Sequence, residues 1–179
     1  MISHAPIDYQ CPFCRLIRAD FATPGSVNIP EDLIYQDEHV TAVLSLHQNP
    51  RAIPNVLVLP NEHHENMYDL PEEYAAPILR VSKLLAAAYK SAFGADGVST
   101  RQHNEPAGSQ DVWHYHLHVT ARYHGDDFYH NFLLIRMDKE ERAEIGSKLK
   151  TAIKAILDQS NEHKLPWKHL PDLPNVPSW

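Results

Sequence analysis

The sequence lacks the features that mark several large classes of protein. It has no surplus of basic residues, since 16 Lys and Arg stand against 23 Asp and Glu, for a formal net charge of −7. Because general binding to nucleic acids or anionic membranes rests on clustered Lys and Arg, this balance argues against both kinds of surface. No apolar run approaches the roughly 18 residues that a membrane-spanning helix needs. The first residues, MISHAPIDYQ, do not have the charged and apolar regions of a signal peptide, so a cytoplasmic location is expected.

Cysteine is also scarce, with only Cys11 and Cys14, in CPFC. In a cytoplasmic protein, so close a pair favours a metal half-site or a redox motif over a structural disulfide. A thioredoxin-like motif would follow a strand, and no strand pattern precedes Cys11. The spacing alone leaves two interpretations open, half of a metal site or a pair of ordinary reduced thiols.

What the chain does have is the composition of one globular domain. Its 179 residues are 43% hydrophobic, which is enough for a sizeable core. Short alternating runs predict five strands, at 33–37, 40–46, 55–60, 97–104 and 112–123. The segment 47–54, HQNPRAIP, is expected to lack regular structure because of its prolines.

Two segments have the apolar spacing of long helices. In 71–94 apolar residues recur at i, i+3 and i+4, and Gly94 is placed to end the helix. The second helix is predicted to begin near Asp138, where Glu141 completes a pair like a capping box. CPFCRLIRAD is expected to form a short helix or turn. Because strands outnumber helices and neighbouring strands can pair antiparallel, the predicted class is α+β.

The chain is predicted to contain a single folded domain at 11–160. Residues 1–10 are expected to be an N-terminal extension, and 161–179 a proline-rich, extended C-terminal tail. No internal repeat or second domain is indicated.

Three histidines alternate with apolar residues in the last predicted strand, WHYHLHVTARY. His114, His116 and His118 would share a face, because alternate side chains of a strand point to the same side. The outer two Cα atoms would lie roughly 13 Å apart. Because bonds from imidazole to zinc are about 2 Å long, all three rings could hardly bind one ion. At most two of them are ligands of a shared metal, and the rest need another role.

The segment HYHLHVT resembles the signature of the histidine triad, or HIT, family. CPFCRLI, NPRAIPNVLVLPNEHHENMYDLPEE and HNEPAGSQDVWH are similar to further segments of that family, in the same order along the chain. The resemblance covers roughly residues 11–127. It implies a HIT-like fold, with an antiparallel sheet of about five strands and two main helices, and it also implies a homodimer.

The resemblance implies a hydrolase that acts on a nucleotide-derived small molecule. In the family the middle histidine, here His116, attacks the α-phosphorus of a nucleoside phosphoramidate or dinucleoside polyphosphate and forms a covalent nucleotidyl-histidine. His118 would contact the phosphate and assist the leaving group. It favours the hydrolases, because glutamine replaces it in the uridylyltransferase-like branch. Asn104 and Gln110 match positions that hold phosphate oxygens.

Two other functions stay open beside the hydrolase. One is a nucleotide-binding or interaction protein with weak or no turnover, and the other is a catalytic metal site built on the triad. Family members with the CxxC element bind a structural zinc, and the matching positions are Cys11, Cys14, His63 and His114. That assignment leaves His116 and His118 for chemistry.

Four positions depart from the family pattern. Asn55 stands where the family has a histidine that supports the active site, and Ser45 stands where an aspartate binds the ribose hydroxyls. Asp111 replaces a serine or threonine near the phosphate, and Thr120 replaces the last apolar residue of the signature. Ser45 and Asn55 are still predicted to bind substrate. The departures bear on nucleoside specificity more than on the chemistry.

Overall fold

A five-stranded antiparallel sheet organises the protein in a computed structural model that describes residues 2–130 and 133–161. The strands are β1 (Leu33–Gln36), β2 (Val40–Leu44), β3 (His47–Gln48), β4 (Asn55–Pro60), β5 (Gly97–Gln102), β6 (Leu117–Arg122) and β7 (Ile135–Arg136). The main sheet has the order β1-β2-β4-β6-β5. Every neighbouring pair in it is antiparallel, which confirms the predicted class and the number of strands.

β3 and β7 form a separate two-stranded ribbon. The prediction that 47–54 lacks regular structure is therefore wrong for its first two residues. Gln48 explains the difference, because its fully buried amide donates to the carbonyls of Ser45 and Asn55 and accepts from the Asn55 N–H. One polar side chain thus satisfies backbone groups where β2 ends and β4 begins, and the chain before the prolines can still pair with β7.

The described part of the chain has three α-helices, which are α1 (Pro12–Ile17), α2 (Ala75–Phe93) and α3 (Lys139–Asn161). The helix predicted at 71–94 starts with a 3₁₀ turn at Glu72–Tyr74 and then continues as α2. It ends at Gly94, whose φ of 67° is left-handed, as the prediction of a glycine cap requires. At the start of α3 the Asp138 carboxylate accepts from the Glu141 N–H at 2.8 Å, which confirms the predicted cap.

The two faces of the sheet are covered differently. α2 and α3 pack on one face and form the main core with residues such as Ile78, Val81, Leu85, Leu149 and Ile153. The opposite face carries a smaller cluster, which consists of Leu16, Leu33, Val43, Leu57 and Leu59. Leu57 lies directly opposite His118 in the β4–β6 pairing, so the two side chains share this second face. The histidines therefore lie on the side of the sheet that the long helices do not cover.

Neither α2 nor α3, as far as the described residues extend, has an apolar stretch long enough to cross a bilayer. The proline-rich tail predicted at 161–179 falls, after Asn161, outside the described residues.

Candidate active site and metal site

Four side chains bring potential metal ligands together at one end of the open face. The ligand atoms of Cys11, Cys14, His63 and His114 all lie within 4.8 Å of one another. Cys14 Sγ is 3.2 Å from Nδ1 of His63 and 3.5 Å from Nδ1 of His114, and Cys11 Sγ is 3.4 Å from the same His114 nitrogen. A tetrahedral ion with ordinary zinc bond lengths would set such S···N distances at about 3.6 Å. The four donors therefore fit a single metal ion with little movement.

Local structure accounts for how the cluster forms. Cys11 is the residue that caps α1, and its Sγ accepts from the Cys14 N–H, so one helical turn places both thiols on the same side. His63 follows β4 and faces the thiols. The neighbouring His64 instead packs edge-on against Tyr74, with 5.4 Å between the ring centroids. The two adjacent histidines therefore have different partners, and His63 alone joins the cluster.

His114 is held by both of its ring nitrogens. Nε2 lies 3.0 Å from the Pro60 carbonyl and donates its proton there, which leaves the Nδ1 lone pair facing the cysteines. Burial lowers the pKa of His114 to about 4 and raises the pKa of Cys11 to about 12. A bound cation would replace the thiol proton, because the thiolate is the form that binds metals.

Of the other two histidines, His116 lies just before β6 and His118 lies within it. β6 begins at Leu117, so the prediction of one strand from 112 to 123 is wrong for His114 and His116. The reason is local, because the Tyr115 N–H donates to the His64 carbonyl in the loop after β4 rather than to a strand partner. The rings of His116 and His118 are nevertheless adjacent, with 5.2 Å between their centroids.

His116 is arranged as a nucleophile. Its Nδ1 lies 2.7 Å from the His114 carbonyl, which can only accept, so Nδ1 carries the proton and Nε2 keeps its lone pair. The residue is 3% exposed, and burial lowers its pKa below the usual value. Phe13 packs edge-on against the ring at 5.2 Å and limits its rotation. Near neutral pH His116 is therefore an uncharged imidazole with one available lone pair.

His118 has the opposite tautomer to His116. Its Nδ1 lies 3.3 Å from the amide nitrogen of Asn55, whose oxygen accepts from the Thr120 hydroxyl at 3.0 Å. An amide N–H pointing at Nδ1 makes that atom the acceptor and leaves the proton on Nε2. Burial first, and then the neighbouring His116 and Arg101, lowers the pKa of His118 to about 2. The pair thus offers one lone pair and one N–H donor without a charge on either ring.

Similarity to known proteins identifies the family of the chain. The HIT domain family matches residues 26–125, more than half of the chain. The chain belongs to the HIT family. It is 34% identical over 120 residues to Protein hit of Bacillus subtilis (strain 168), a match that covers 66% of this chain and 76% of that protein.

Two further similarities bear on the site of this HIT protein. Adenosine 5'-monophosphoramidase HNT1 of Saccharomyces cerevisiae is 27% identical over 122 residues, which are 68% of each chain. The crystal structure of a Zn-bound histidine triad family protein from Mycobacterium smegmatis superposes with a TM-score of 0.68 at 31% identity, and covers 84% of this chain and 97% of that one.

Asn104 and Gln110, the two amides expected to hold the phosphate, form hydrogen bonds that stabilise the loop before the triad. Gln110 is buried, accepts from the Glu105 N–H at 2.7 Å and donates to the carbonyls of Glu65 and Val112. Asn104 accepts from the Met67 N–H at 2.8 Å and exchanges hydrogen bonds with the Gln102 side chain. β5 ends at Gln102, so Asn104 lies in the loop after it and not in the strand predicted to reach 104. The polar atoms of both side chains are engaged with the protein itself.

Ser45 and Asn55 lie at adjacent ends of β2 and β4. The Ser45 hydroxyl donates to the His47 carbonyl at 2.9 Å, which turns it toward its own chain. Asn55 contacts His118 through its amide, as described above. Asp111 is exposed, and burial lowers the pKa of His116 even though the negative charge of Asp111 opposes that shift. Two of the four departures from the family pattern contact each other directly, because the Thr120 hydroxyl donates to the Asn55 amide oxygen.

Sequence reasoning missed two basic residues beside the triad, Arg101 on β5 and His103 just after it. Arg101 lies directly opposite His118 in the β5–β6 pairing, so both side chains share the open face. His103 packs edge-on against His118 at 5.5 Å, and its Nδ1 lies 2.6 Å from the Gly108 carbonyl. The alternation of Arg101 and His103 along a predicted strand was the available signal, but only the register with β6 shows that they lie beside the triad.

Proposed function

We propose that this protein is a hydrolase that cleaves a nucleoside phosphoramidate or dinucleoside polyphosphate at the α-phosphorus, with His116 as the nucleophile. The observation that carries the proposal is the opposed arrangement of two neutral imidazoles, an Nε2 lone pair on His116 beside an Nε2–H donor on His118. A phosphoryl group between them would meet a nucleophile and a hydrogen-bond donor at once.

The reaction proceeds in two displacements. His116 Nε2 forms a bond to phosphorus while the bond from phosphorus to the leaving nitrogen or oxygen breaks, and the leaving group takes that electron pair. Water then attacks phosphorus, and the bond to Nε2 breaks and returns its pair to His116. Overall one water is consumed: its hydroxyl ends on phosphorus and its proton on the leaving group. His118 Nε2–H stabilises the negative charge that develops on the phosphoryl oxygens and on the leaving nitrogen or oxygen.

Cys11, Cys14, His63 and His114 would hold a structural zinc ion in this scheme, because a closed Cys₂His₂ set leaves no open position for substrate. The ion would supply stability rather than chemistry. His114 then has a second function through its backbone, since its carbonyl sets the His116 tautomer. The homodimer implied by the resemblance and the cytoplasmic location expected from the N-terminal sequence remain predictions, as does the role of Ser45 and Asn55 in binding a nucleoside.

The engagement of Asn104, Gln110 and Ser45 in internal hydrogen bonds supports a second candidate, a nucleotide-binding protein with weak turnover. Side chains fixed in this way must exchange partners before they can hold a phosphate or a ribose. Such a protein would bind nucleotides at micromolar concentration and release them unchanged.

Turnover of two substrate types distinguishes the candidates. The hydrolase predicts steady release of amine from a fluorogenic AMP phosphoramidate, or cleavage of a diadenosine polyphosphate. His116→Ala should lower kcat by about 10⁴-fold or more, because the nucleophile is lost. His124→Ala, at an exposed histidine away from the site, is the matched control and should leave kcat unchanged. Calorimetric binding of AMP without turnover of either substrate would favour the binding protein instead.

A further inference from the structure

Two residues that depart from the family pattern form a buried chain of hydrogen bonds that ends on His118. Asn55 on β4 and Thr120 on β6 are directly opposite each other in the strand pairing, and they are 6% and 3% exposed. The Thr120 hydroxyl is 3.0 Å from the Asn55 amide oxygen, and the Asn55 amide nitrogen is 3.3 Å from His118 Nδ1. The three side chains lie on the open face of the sheet, at the candidate active site.

The direction of this chain follows from the hydroxyl. A buried O–H must place its proton on an acceptor, or it loses the free energy of its hydrogen bond with water. Among residues 2–130 and 133–161, the one hydrogen bond that the Thr120 hydroxyl donates goes to the Asn55 amide oxygen. If the amide were turned over, its NH₂ would face the hydroxyl and the buried proton would be left without a partner.

The amide orientation in turn determines the tautomer of His118. With its oxygen held by Thr120, Asn55 presents an N–H to Nδ1, which must then accept. The His118 proton is left on Nε2, the atom on the opposite side of the ring. Asn55 is itself held by Gln48, which hydrogen-bonds its backbone N–H at 2.7 Å and its carbonyl at 2.9 Å. The Asn55 backbone is therefore held in place by Gln48, and its side-chain amide has one favoured orientation.

We propose that Thr120 and Asn55 are positioning residues that keep His118 in the Nε2–H form, so that it faces the substrate as a donor beside the His116 lone pair. An apolar residue at 120 could not orient an asparagine at 55, and an asparagine without that anchor could turn over. The two departures from the family pattern therefore act as one unit. Their effect on turnover rests on the proposed hydrolase function, whereas their effect on the tautomer does not.

Long-range ¹H–¹⁵N NMR of the full chain reads the tautomer of each histidine directly. For His118 the wild type should give the pattern of a neutral ring protonated at Nε2. Thr120→Val, which keeps the shape and removes the donor, should shift that pattern toward a mixture of tautomers. Thr120→Ser restores the hydroxyl and should restore the pattern. Thr100→Val, at an exposed position of β5 that faces away, is the matched control and should change nothing.

Asn55→Asp gives the opposite prediction, because a carboxylate can only accept and would draw the His118 proton to Nδ1. In turnover, Thr120→Val should lower kcat by about ten- to a hundredfold, the size of effect found when a metal-ligating histidine loses its outer hydrogen-bond partner. KM should change little, and Thr120→Ser should recover most of the loss.

A wild-type His118 protonated at Nδ1 would overturn the proposal, and so would a Thr120→Val variant with an unchanged tautomer and kcat. Should Asn55→Asp fail to fold, the Thr120 variants still decide the matter. Wild-type protein with the expected His118 tautomer but no hydrolysis of any substrate would overturn the proposed hydrolase function and leave the assignment of the tautomer intact.

Discussion

At the scale of single residues, His114 joins the metal cluster to the candidate nucleophile. Its Nδ1 faces the two cysteines, its Nε2 donates to the Pro60 carbonyl, and its own carbonyl accepts from His116 Nδ1. A shift of the His114 carbonyl is expected to change the direction of the His116 lone pair, because that carbonyl accepts from His116 Nδ1. Metal binding and catalysis are therefore expected to be coupled through one residue.

Loss of a cysteine ligand tests the metal centre at this scale. Cys11→Ser should lower the zinc content from one ion per chain to well below one, because serine is a poor zinc ligand. Loss of a tight ligand of the folded state costs about 3–4 kcal/mol. For a protein of this size that lowers Tm by about 10 °C. Elemental analysis and thermal unfolding provide the two measurements.

The adjacent histidines offer a control for this experiment. His64→Gln removes an imidazole next to the cluster that contributes no ligand to it, so zinc content should stay at one ion per chain. Wild-type protein purified without zinc, and unaffected in Tm by its addition, would contradict the structural role.

At the scale of secondary-structure elements, α3 depends on a close approach to the 3₁₀ turn at Pro30–Asp32. Arg142 Nη1 lies 2.6 Å from the buried carboxylate of Asp32, which ties the first turn of α3 to this segment. One turn later Gly146 crosses so near the Glu31 carbonyl that a Cβ on Gly146 would collide with it. The glycine is needed here for space, since the neighbouring backbone leaves no room for a side chain.

Gly146→Ala therefore makes an unusual prediction. In an exposed helix this change would stabilise by about 1 kcal/mol through helix propensity. Here the added methyl group must push α3 away from Glu31, and overpacking of this kind costs about 1–3 kcal/mol. The midpoint of urea unfolding should fall. Ser147→Ala, at the exposed neighbouring position, should change stability by less than about 0.5 kcal/mol, and a Gly146→Ala protein more stable than the wild type would contradict the close approach.

At the scale of the whole molecule, the main core and the candidate site lie on opposite faces of one sheet. The face under α2 and α3 supplies most of the buried apolar surface, and the open face supplies the polar groups of the site. The N-terminal segment 2–10 also contributes to the open side: the Ser3 N–H donates to Glu105 at 2.8 Å, and the Trp113 N–H donates to the Tyr9 hydroxyl at 3.1 Å. This segment thus contacts both ends of the loop that leads to the triad.

The parts of this arrangement that local patterns determine could be predicted from the sequence. The α2 periodicity and its Gly94 cap, the Asp138 cap of α3 and the five strands are all short-range signals, and the structure confirms them. The two cysteines and two histidines of the metal cluster were predicted because each falls in a motif of the family.

What could not be predicted depends on strand register and on contacts between distant residues. The Asn55–Thr120 contact requires the β4–β6 pairing, and a shift by one residue would place the two side chains on opposite faces. The same holds for Arg101 beside His118. The Asp32–Arg142 ion pair joins residues 110 positions apart, and nothing near either residue indicates the other.

The stereochemical course at phosphorus tests the central claim most directly. A substrate made chiral at the α-phosphorus is hydrolysed in isotopically labelled water, and the configuration of the nucleoside monophosphate is determined. Because each in-line displacement inverts phosphorus, attack by His116 followed by attack of water predicts overall retention. Inversion would mean that water attacks the substrate directly, and it would contradict the covalent nucleotidyl-His116 intermediate.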